Sequence, residues 1–372
     1  MKVIFDARMI SYPYTGLGRF SGELLIELLE LARVKGDKYL VLLWNHNLIN
    51  NKYVNKIEEF RSSGVCEILF VDCKPVGITQ HFKLKKFLTT ECGDIYIHPH
   101  FDLPIFASIP SICFIHDLFP TKVKGYMVKN AFLKKIYFRL MLRVVSIKAK
   151  YIYAVSETTK NDFLQDVGVK FLNKVGVCLE GPIVRMSPDH ILKKLQDNNF
   201  LLYAGDRRPH KNIRKIIDLF ILLKKNGYKG SLLLVGATKN YDFDVDEYIK
   251  NIDGVKIIGH VNDSELLNLY LQMDALVFLS KYEGFGLPVV EAGLLRKKMI
   301  ISDGGALNEI SPKWAYRLRL NAEIEDEAYK ILEYLRSTLE IDENYGSDYR
   351  WDSVANRVNK KMEAIIGGSY VR

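Results

Sequence analysis

Apolar runs of strand length recur along this chain, and most lead into a polar turn and then into apolar residues at three and four spacing. In the first half the runs are Lys2 to Asp6, Tyr39 to Trp44, Cys66 to Val71, Asp94 to His98, Ser111 to Ile115, Tyr151 to Val155 and Val175 to Leu179. In the second half they are Phe200 to Ala204, Ser231 to Gly236, Val255 to Gly259, Ala275 to Ser280 and Met299 to Ser302. Continuous apolar runs, rather than alternating ones, predict strands buried on both faces. Helical spacing is plainest over Phe20 to Ala32, after the N-cap candidate Ser156, from Ile213, and over Trp351 to Ile365. Strand, turn and helix repeated in this order predict an α/β protein with parallel, doubly wound sheets, whose ligands bind at the carboxyl ends of strands.

At 372 residues the chain exceeds what one hydrophobic core usually serves, so two domains are expected. The polar, helix-like stretch Ser187 to Asn199 follows Glu180-Gly-Pro182 and marks the boundary, giving domains 1–182 and 183–350. No uninterrupted stretch of ~18 apolar residues occurs, and the run at residues 2 to 5 is closed by Asp6. Neither a transmembrane helix nor a signal peptide is read. Five cysteines, Cys66, Cys73, Cys92, Cys113 and Cys178, without a Cys-x-x-Cys pair fit buried thiols in a reducing cytoplasm.

Charge adds a second asymmetry. The net charge is +9, and residues 1 to 190 hold 26 Lys and Arg against 18 Asp and Glu, so the excess is N-terminal. Residues 121 to 150 carry nine basic residues, among them Lys129, Lys134, Lys135, Arg139 and Arg143, and no acid. Interspersed apolar residues make this stretch an amphipathic helix with a basic face.

The most informative stretch is Ser280-Lys-Tyr-Glu-Gly-Phe-Gly-Leu-Pro-Val-Val-Glu-Ala-Gly293. It reads as strand end, glycine loop and helix, with Pro288 suited to the first helical turn. Glu283 lies on the loop and Glu291 about one turn into the helix, where side chains lean back toward the helix start, so both can face one ligand. Gly284 and Gly286 admit a close approach, and first-turn amides offer an anion site. Two carboxylates beside a phosphate cradle suit a nucleotide sugar; a strand-to-helix turn with one capping acid is the alternative.

Glu283-Gly-Phe-Gly-Leu-Pro-Val-Val-Glu291 resembles the two-glutamate signature of the retaining glycosyltransferases of family 4, which have the GT-B fold: two Rossmann-like doubly wound domains facing an interdomain cleft. The resemblance implies that Glu283 contacts the donor sugar and Glu291 the nucleotide ribose, with Phe285, Gly286 and Leu287 along the donor. It also implies that the terminal helix, 351–372, crosses back onto the first domain, which takes the acceptor, while the second takes the donor.

Other segments fall in with this reading. Thr15-Gly-Leu-Gly-Arg-Phe20 is a near miss for a dinucleotide fingerprint, and no acid follows the next strand to hold a ribose, so NAD is not expected. In the resembling family this loop approaches the donor diphosphate and the acceptor, through Gly16, Gly18 and Arg19; a plain glycine turn is the alternative. Arg207, Arg208 and Lys211 follow a strand end directly. The resemblance implies that Lys211 and one arginine, Arg207 by preference, clasp the diphosphate, although the order of residues 205 to 212 differs from the commonest family form. His116-Asp117 ends another strand, and the family commonly places such a histidine near the transferred sugar. His260 and Val261 stand where the family holds the base.

Two stretches invite a metal. His98-Pro-His100 lacks a third ligand in register and reads as loop packing. Asp242-Phe-Asp-Val-Asp246 sits before a helix, where acids cap and complement the dipole. No metal and no cofactor are therefore expected. Hexosyl transfer from a nucleotide diphosphate sugar to a glycan or lipid-linked glycan is the expected reaction. Asp6-Ala-Arg8 and Thr15-Gly-Leu-Gly18 look like bacterial enzymes that add mannose or rhamnose to surface polysaccharides. The basic excess predicts a cytoplasmic protein held peripherally on an anionic membrane, with no role for nucleic acid. A sugar-nucleotide epimerase of the same fold, and a non-catalytic sugar-nucleotide-binding partner, are the rivals.

Overall fold

The computed structural model describes residues 1–46, 48–123, 131–183, 199–236 and 244–368. The chain divides into two compact units: Met1–Thr121, Met127–Gly181 and Asp348–Arg372 form the first, and Lys122–Tyr126 with Pro182–Ser347 the second.

In the first unit the described strands are β1 (Lys2–Asp6), β2 (Lys38–Trp44), β3 (Cys66–Val71), β4 (Ile95–His98), β5 (Ser111–Ile115), β6 (Tyr151–Ala154) and β7 (Val175–Val177). They form one parallel sheet of order β3-β2-β1-β4-β5-β6-β7. Every residue of β4 and β5 is buried, as continuous apolar runs require when helices cover both faces. The order turns at β1, which lies between β2 and β4, so Asp6 and His98 end the two strands at the switch point of this sheet.

Helix Gly16–Lys35 begins four residues earlier than its apolar spacing predicts. Thr15 is the reason: its side chain accepts from the Gly18 amide and caps the helix, drawing Gly16 and Gly18 into the first turn. The terminal helix Trp351–Gly367 packs on Gly16–Lys35 and buries Trp351, Val354, Ala355, Val358 and Met362. Phe20 and Trp351 meet edge-on, their ring centroids 5.5 Å apart.

Helix Ala131–Lys148 buries Phe138, Met141, Leu142 and Val145 and leaves Lys134, Arg139, Arg143 and Lys148 exposed, but the exposed side is not purely basic. Phe132, Leu133, Ile136, Leu140 and Ile147 are exposed as well, so the outward side mixes apolar residues with lysines and arginines. Lys129 lies outside the described residues.

In the second unit β8 (Phe200–Ala204), β9 (Ser231–Val235), β10 (Val255–Gly259), β11 (Ala275–Phe278), β12 (Lys298–Ser302) and β13 (Tyr316–Leu318) form a parallel sheet of order β10-β9-β8-β11-β12-β13. The turn in order falls at β8, between β9 and β11. The loops after β8 and β11 therefore emerge side by side at a switch point, where an open α/β sheet leaves its ligand crevice. The three-residue β13 and helix Ile324–Arg336 are not anticipated by the apolar runs. The polar stretch 187–199 lies almost wholly outside the described residues.

Candidate functional site

The loops after β8 and β11 are tied together before any ligand is considered. Lys281 N donates to the His210 carbonyl at 2.7 Å, and Asn212 Nδ2 to the Leu279 carbonyl at 3.2 Å. Asn212 adopts the left-handed conformation (φ 58°), turning the loop into helix Ile213–Lys225. The result is that Lys211 Nζ meets Glu283 Oε1 at 2.7 Å, although 72 residues separate them, with each side chain only 12% and 11% exposed. The Phe278 ring lies 5.3 Å from the ammonium. Burial, reinforced by Lys211 and Arg208, pushes the neighbouring His210 down to about 3, so this ring adds no positive charge near neutrality.

The two arginines part company. Arg208 Nε donates to Asp206 Oδ2 at 2.6 Å, whereas Arg207, its side chain 4% exposed, pairs with the exposed Asp246 at 3.3 Å. Burial alone raises Asp206, but Arg208 and Lys211 outweigh it and hold the carboxyl below its ordinary value. Asp244 caps helix Val245–Ile249 by accepting from Glu247 N. The last two acids of the acidic run thus serve as cap and ion-pair partner, while residues 242 and 243 lie outside the described residues.

Glu291 takes other partners than Glu283. It is buried and accepts from Ile183 N at 3.1 Å and from the Tyr270 hydroxyl at 2.9 Å. Gly286 stands at φ 120° as the residue before helix Leu287–Leu294, and a Cβ there would come within 2.7 Å of Leu307. Phe285 beside it is buried. Fewer first-turn amides are open to an anion than the pattern predicts: Val289 N and Val290 N both donate to the Gly286 carbonyl, and Pro288 has no N–H. His260 and Val261 follow the edge strand β10, which β9 separates from β8.

In the first unit, Gly16 and Gly18 differ sharply. A Cβ on Gly16 meets nothing within 4 Å, while one on Gly18 would fall 2.1 Å from the Tyr12 carbonyl oxygen. Arg19 Nε donates to the Pro13 carbonyl at 3.3 Å, which fastens the same loop. His116, at the end of β5, contacts Glu180 and the Pro99 carbonyl.

A buried polar network sits at the switch point of this sheet. Arg8, fully buried, donates to both oxygens of Asp6, at 2.8 and 2.6 Å, and to Gln80 Oε1 at 2.8 Å. His98 bridges Asp6 Oδ2 at 3.1 Å and Asp102 Oδ1 at 3.3 Å, and His100 Nδ1 reaches the same Asp102 oxygen at 2.5 Å. This corrects the reading of His98-Pro-His100 as lacking a third group: ligand-type atoms of His98, His100 and Asp102 lie within 4.8 Å of one another. Those atoms are spent on one another, and Gln80 Nε2 holds the other Asp102 oxygen at 2.5 Å. Burial raises Asp6 and Asp102, but Arg8 and the two histidines reverse this and hold both carboxyls far below their ordinary value. Burial lowers His98, and its carboxylate partners outweigh that and raise it.

Glu180, Asp102, Asp206 and Tyr270 were not singled out by sequence reasoning. Glu180 and Tyr270 meet partners 64 and 21 residues away, which no local spacing points to, whereas Asp102 and Asp206 each stand two residues from a partner, His100 and Arg208, a spacing that was open to reading.

Residues 189–346 match the family model described as "Glycosyl transferases group 1". The chain is 27% identical over 253 residues to the O-antigen chain mannosyltransferase RfbU of Salmonella typhimurium, covering 66% of this chain and 67% of that protein. It is 25% identical over 328 residues to the O-antigen chain mannosyltransferase B of Escherichia coli, covering 83% and 84%. Among solved structures, Anabaena Alr3699/HepE in complex with UDP and glucose superposes with a TM-score of 0.70 at 17% identity, over 98% of this chain and all of that one. WaaG, a glycosyltransferase involved in lipopolysaccharide biosynthesis, superposes with a TM-score of 0.63 at 13% identity, over 98% and 99%. The structural likenesses establish the fold, which is that of the GT-B glycosyltransferases.

Proposed function

We propose that this chain, a glycosyltransferase carrying a group 1 domain over residues 189–346, moves a hexose from a nucleotide diphosphate sugar to a growing surface glycan. The observation that carries the reading is the Lys211–Glu283 pair, 2.7 Å apart on two mutually bonded loops at a sheet switch point. Transfer requires negative charge to be stabilised on the departing diphosphate while the sugar gains oxocarbenium character. Lys211 and Arg207 answer the first need with fixed positive charge. Glu283 accepts from sugar hydroxyls, Glu291 from the nucleotide ribose, and His116 serves the transferred sugar. The reaction retains anomeric configuration and uses no divalent metal, lysine and arginine taking the metal's electrostatic role.

Two relatives named as O-antigen mannosyltransferases favour a donor of the GDP-mannose type, with dTDP-rhamnose as the neighbouring choice. A lipid-linked glycan acceptor places the work at the cytoplasmic face of a membrane. The outward side of helix Ala131–Lys148, which mixes apolar residues with Arg139 and Arg143, supports peripheral attachment to an anionic surface. No helix among the described residues is long and apolar enough to cross a membrane.

The deciding experiment presents GDP-mannose, dTDP-rhamnose and UDP-glucose to the purified protein and follows thermal stabilisation. A ligand at a hundredfold its Kd adds ~2.7 kcal/mol. The stabilising donor is then incubated with glycan acceptor in excess chelator. Release of nucleoside diphosphate that depends on acceptor is expected. Donor consumption without acceptor identifies an epimerase, binding without turnover a non-catalytic partner, and activity restored only by magnesium or manganese overturns the metal-free mechanism.

A further inference from the structure

His116 is held on three sides. Its Nδ1 lies 3.1 Å from Glu180 Oε1 and its Nε2 3.0 Å from the Pro99 carbonyl oxygen. Phe20 stands edge-on to the ring, centroids 4.5 Å apart at 82°. A carboxylate and a peptide carbonyl only accept hydrogen bonds, so a ring nitrogen meets either of them by donating its N–H. Rotation of the imidazole about its side-chain bonds then breaks at least one of them.

The carboxylate arrives from a distant part of the chain. Strand β6 lies between β5, which delivers His116, and β7, which precedes Glu180. The chain beyond β7 must therefore cross the end of β6 to bring the two side chains together. That course is pinned at both ends: Cys178 N donates to the Ala154 carbonyl at 2.9 Å, and a Cβ on Gly181 would fall 2.6 Å from the Trp351 indole. Glu180 is itself only 5% exposed. A carboxylate buried to that degree is costly unless paired, and among the described residues the side chain that meets it is His116, at 3.1 Å.

We infer that Glu180 is the positioning residue of His116, fixing the orientation of the imidazole at the carboxyl edge of the first sheet and acting on turnover only through it. The inference rests on the proposed reading that His116 serves the transferred sugar. Glu180 does not touch substrate in this scheme. Its effect belongs to the class in which a small misplacement of a reacting group lowers the rate by one to two orders of magnitude.

The test is a mutant cycle with Glu180→Ala, Glu180→Gln and His116→Ala, read by kcat, donor KM and Tm. Glu180→Ala is expected to lower kcat about tenfold or more while donor KM changes less than threefold. Glu180→Gln, which keeps an acceptor for the Nδ1 proton, restores most of that loss. On the His116→Ala background the Glu180 substitutions change kcat no further. Nitrogen-15 spectra of histidine-labelled protein add a direct readout: the His116 Nδ1 signal shifts in Glu180→Ala. Multiplicative losses in the double variant, or a Glu180→Gln variant as slow as Glu180→Ala with unchanged Tm, overturn the positioning role. If Glu180→Ala fails to fold, the glutamine variant decides the matter on the same cycle. A His116→Ala protein with parental turnover instead removes the underlying reading of His116, a result distinct from the other two.

Discussion

Replacing Lys211 by alanine tests the donor site most directly. The ammonium stands 2.7 Å from Glu283, is 12% exposed, and belongs to a loop bonded to its neighbour through Lys281 N and the His210 carbonyl. In the proposed role it would meet the diphosphate without reorganising, the condition under which a fixed charge lowers a barrier most. Two unit charges about 4 Å apart at an effective dielectric near 20 interact by ~4 kcal/mol. Loss of one preorganised donor costs ~2.7–4 kcal/mol in measured cases, so kcat should fall about 10²- to 10³-fold. The alanine also leaves Glu283 without this cation, so Glu283→Gln and the double variant are needed. Coupling between residues in contact is ~0.5–3 kcal/mol, and the double variant should lose less than the product of the single losses. Steady-state kinetics with the stabilising donor, alongside Tm, gives the answer. A Lys211→Ala enzyme within threefold of the parental kcat/KM would refute the assignment and place the diphosphate elsewhere.

Other substitutions probe the scaffold beneath the site. Gly18→Ala puts a Cβ 2.1 Å from the Tyr12 carbonyl oxygen and 2.9 Å from that of Met9, both backbone atoms. It should cost about 1–3 kcal/mol, whereas Gly16→Ala, with open space around it, should stay within about 0.5 kcal/mol by denaturant unfolding. Asp102→Asn should destabilise by about 3 kcal/mol or more, because it removes the buried anion that His98 and His100 share and leaves His98 with Asp6 alone. The sign with pH follows from the shifts: depressed Asp6 and Asp102 contribute stability present above 3.8 and lost as pH falls through their folded values, and raised His98 contributes stability complete below 6.5 and lost as pH rises through its folded value. Calorimetry should thus find the gap between parent and Asp102→Asn widest between 3.8 and 6.5; a gap independent of pH would count against the charged network. Arg139→Gln with Arg143→Gln should weaken vesicle binding about 30-fold at ~1 kcal/mol per charge, and Ile136→Ser with Leu140→Ser should weaken it at high salt too. Co-sedimentation indifferent to anionic lipid and to both pairs would remove the membrane role.

The β/α order of the fold was legible because a parallel strand covered on both faces needs an unbroken apolar run, and such runs stand out at Phe200 to Ala204 and Ser111 to Ile115. Pro288 likewise announced a helix start that the structure shows at Leu287. Local chemistry also misled: a cap at Thr15 moved the first helix back over Gly16 and Gly18, a side-chain bond that apolar spacing does not register.

What tertiary structure decided is which distant groups meet. The outward side of helix Ala131–Lys148 follows from which of its residues the fold buries, and periodicity alone assigned its apolar residues inward. Glu180 finds His116, 64 residues away, only because β7 pairs beside β6. Lys211 and Glu283 lie 72 residues apart in sequence and touch because β8 pairs with β11. Residue types and local spacing determine which side chains sit at strand ends. Strand order, set by burial of whole faces and by non-local pairing, determines which of those ends are neighbours, and a site made of such neighbours is decided only when the sheet closes.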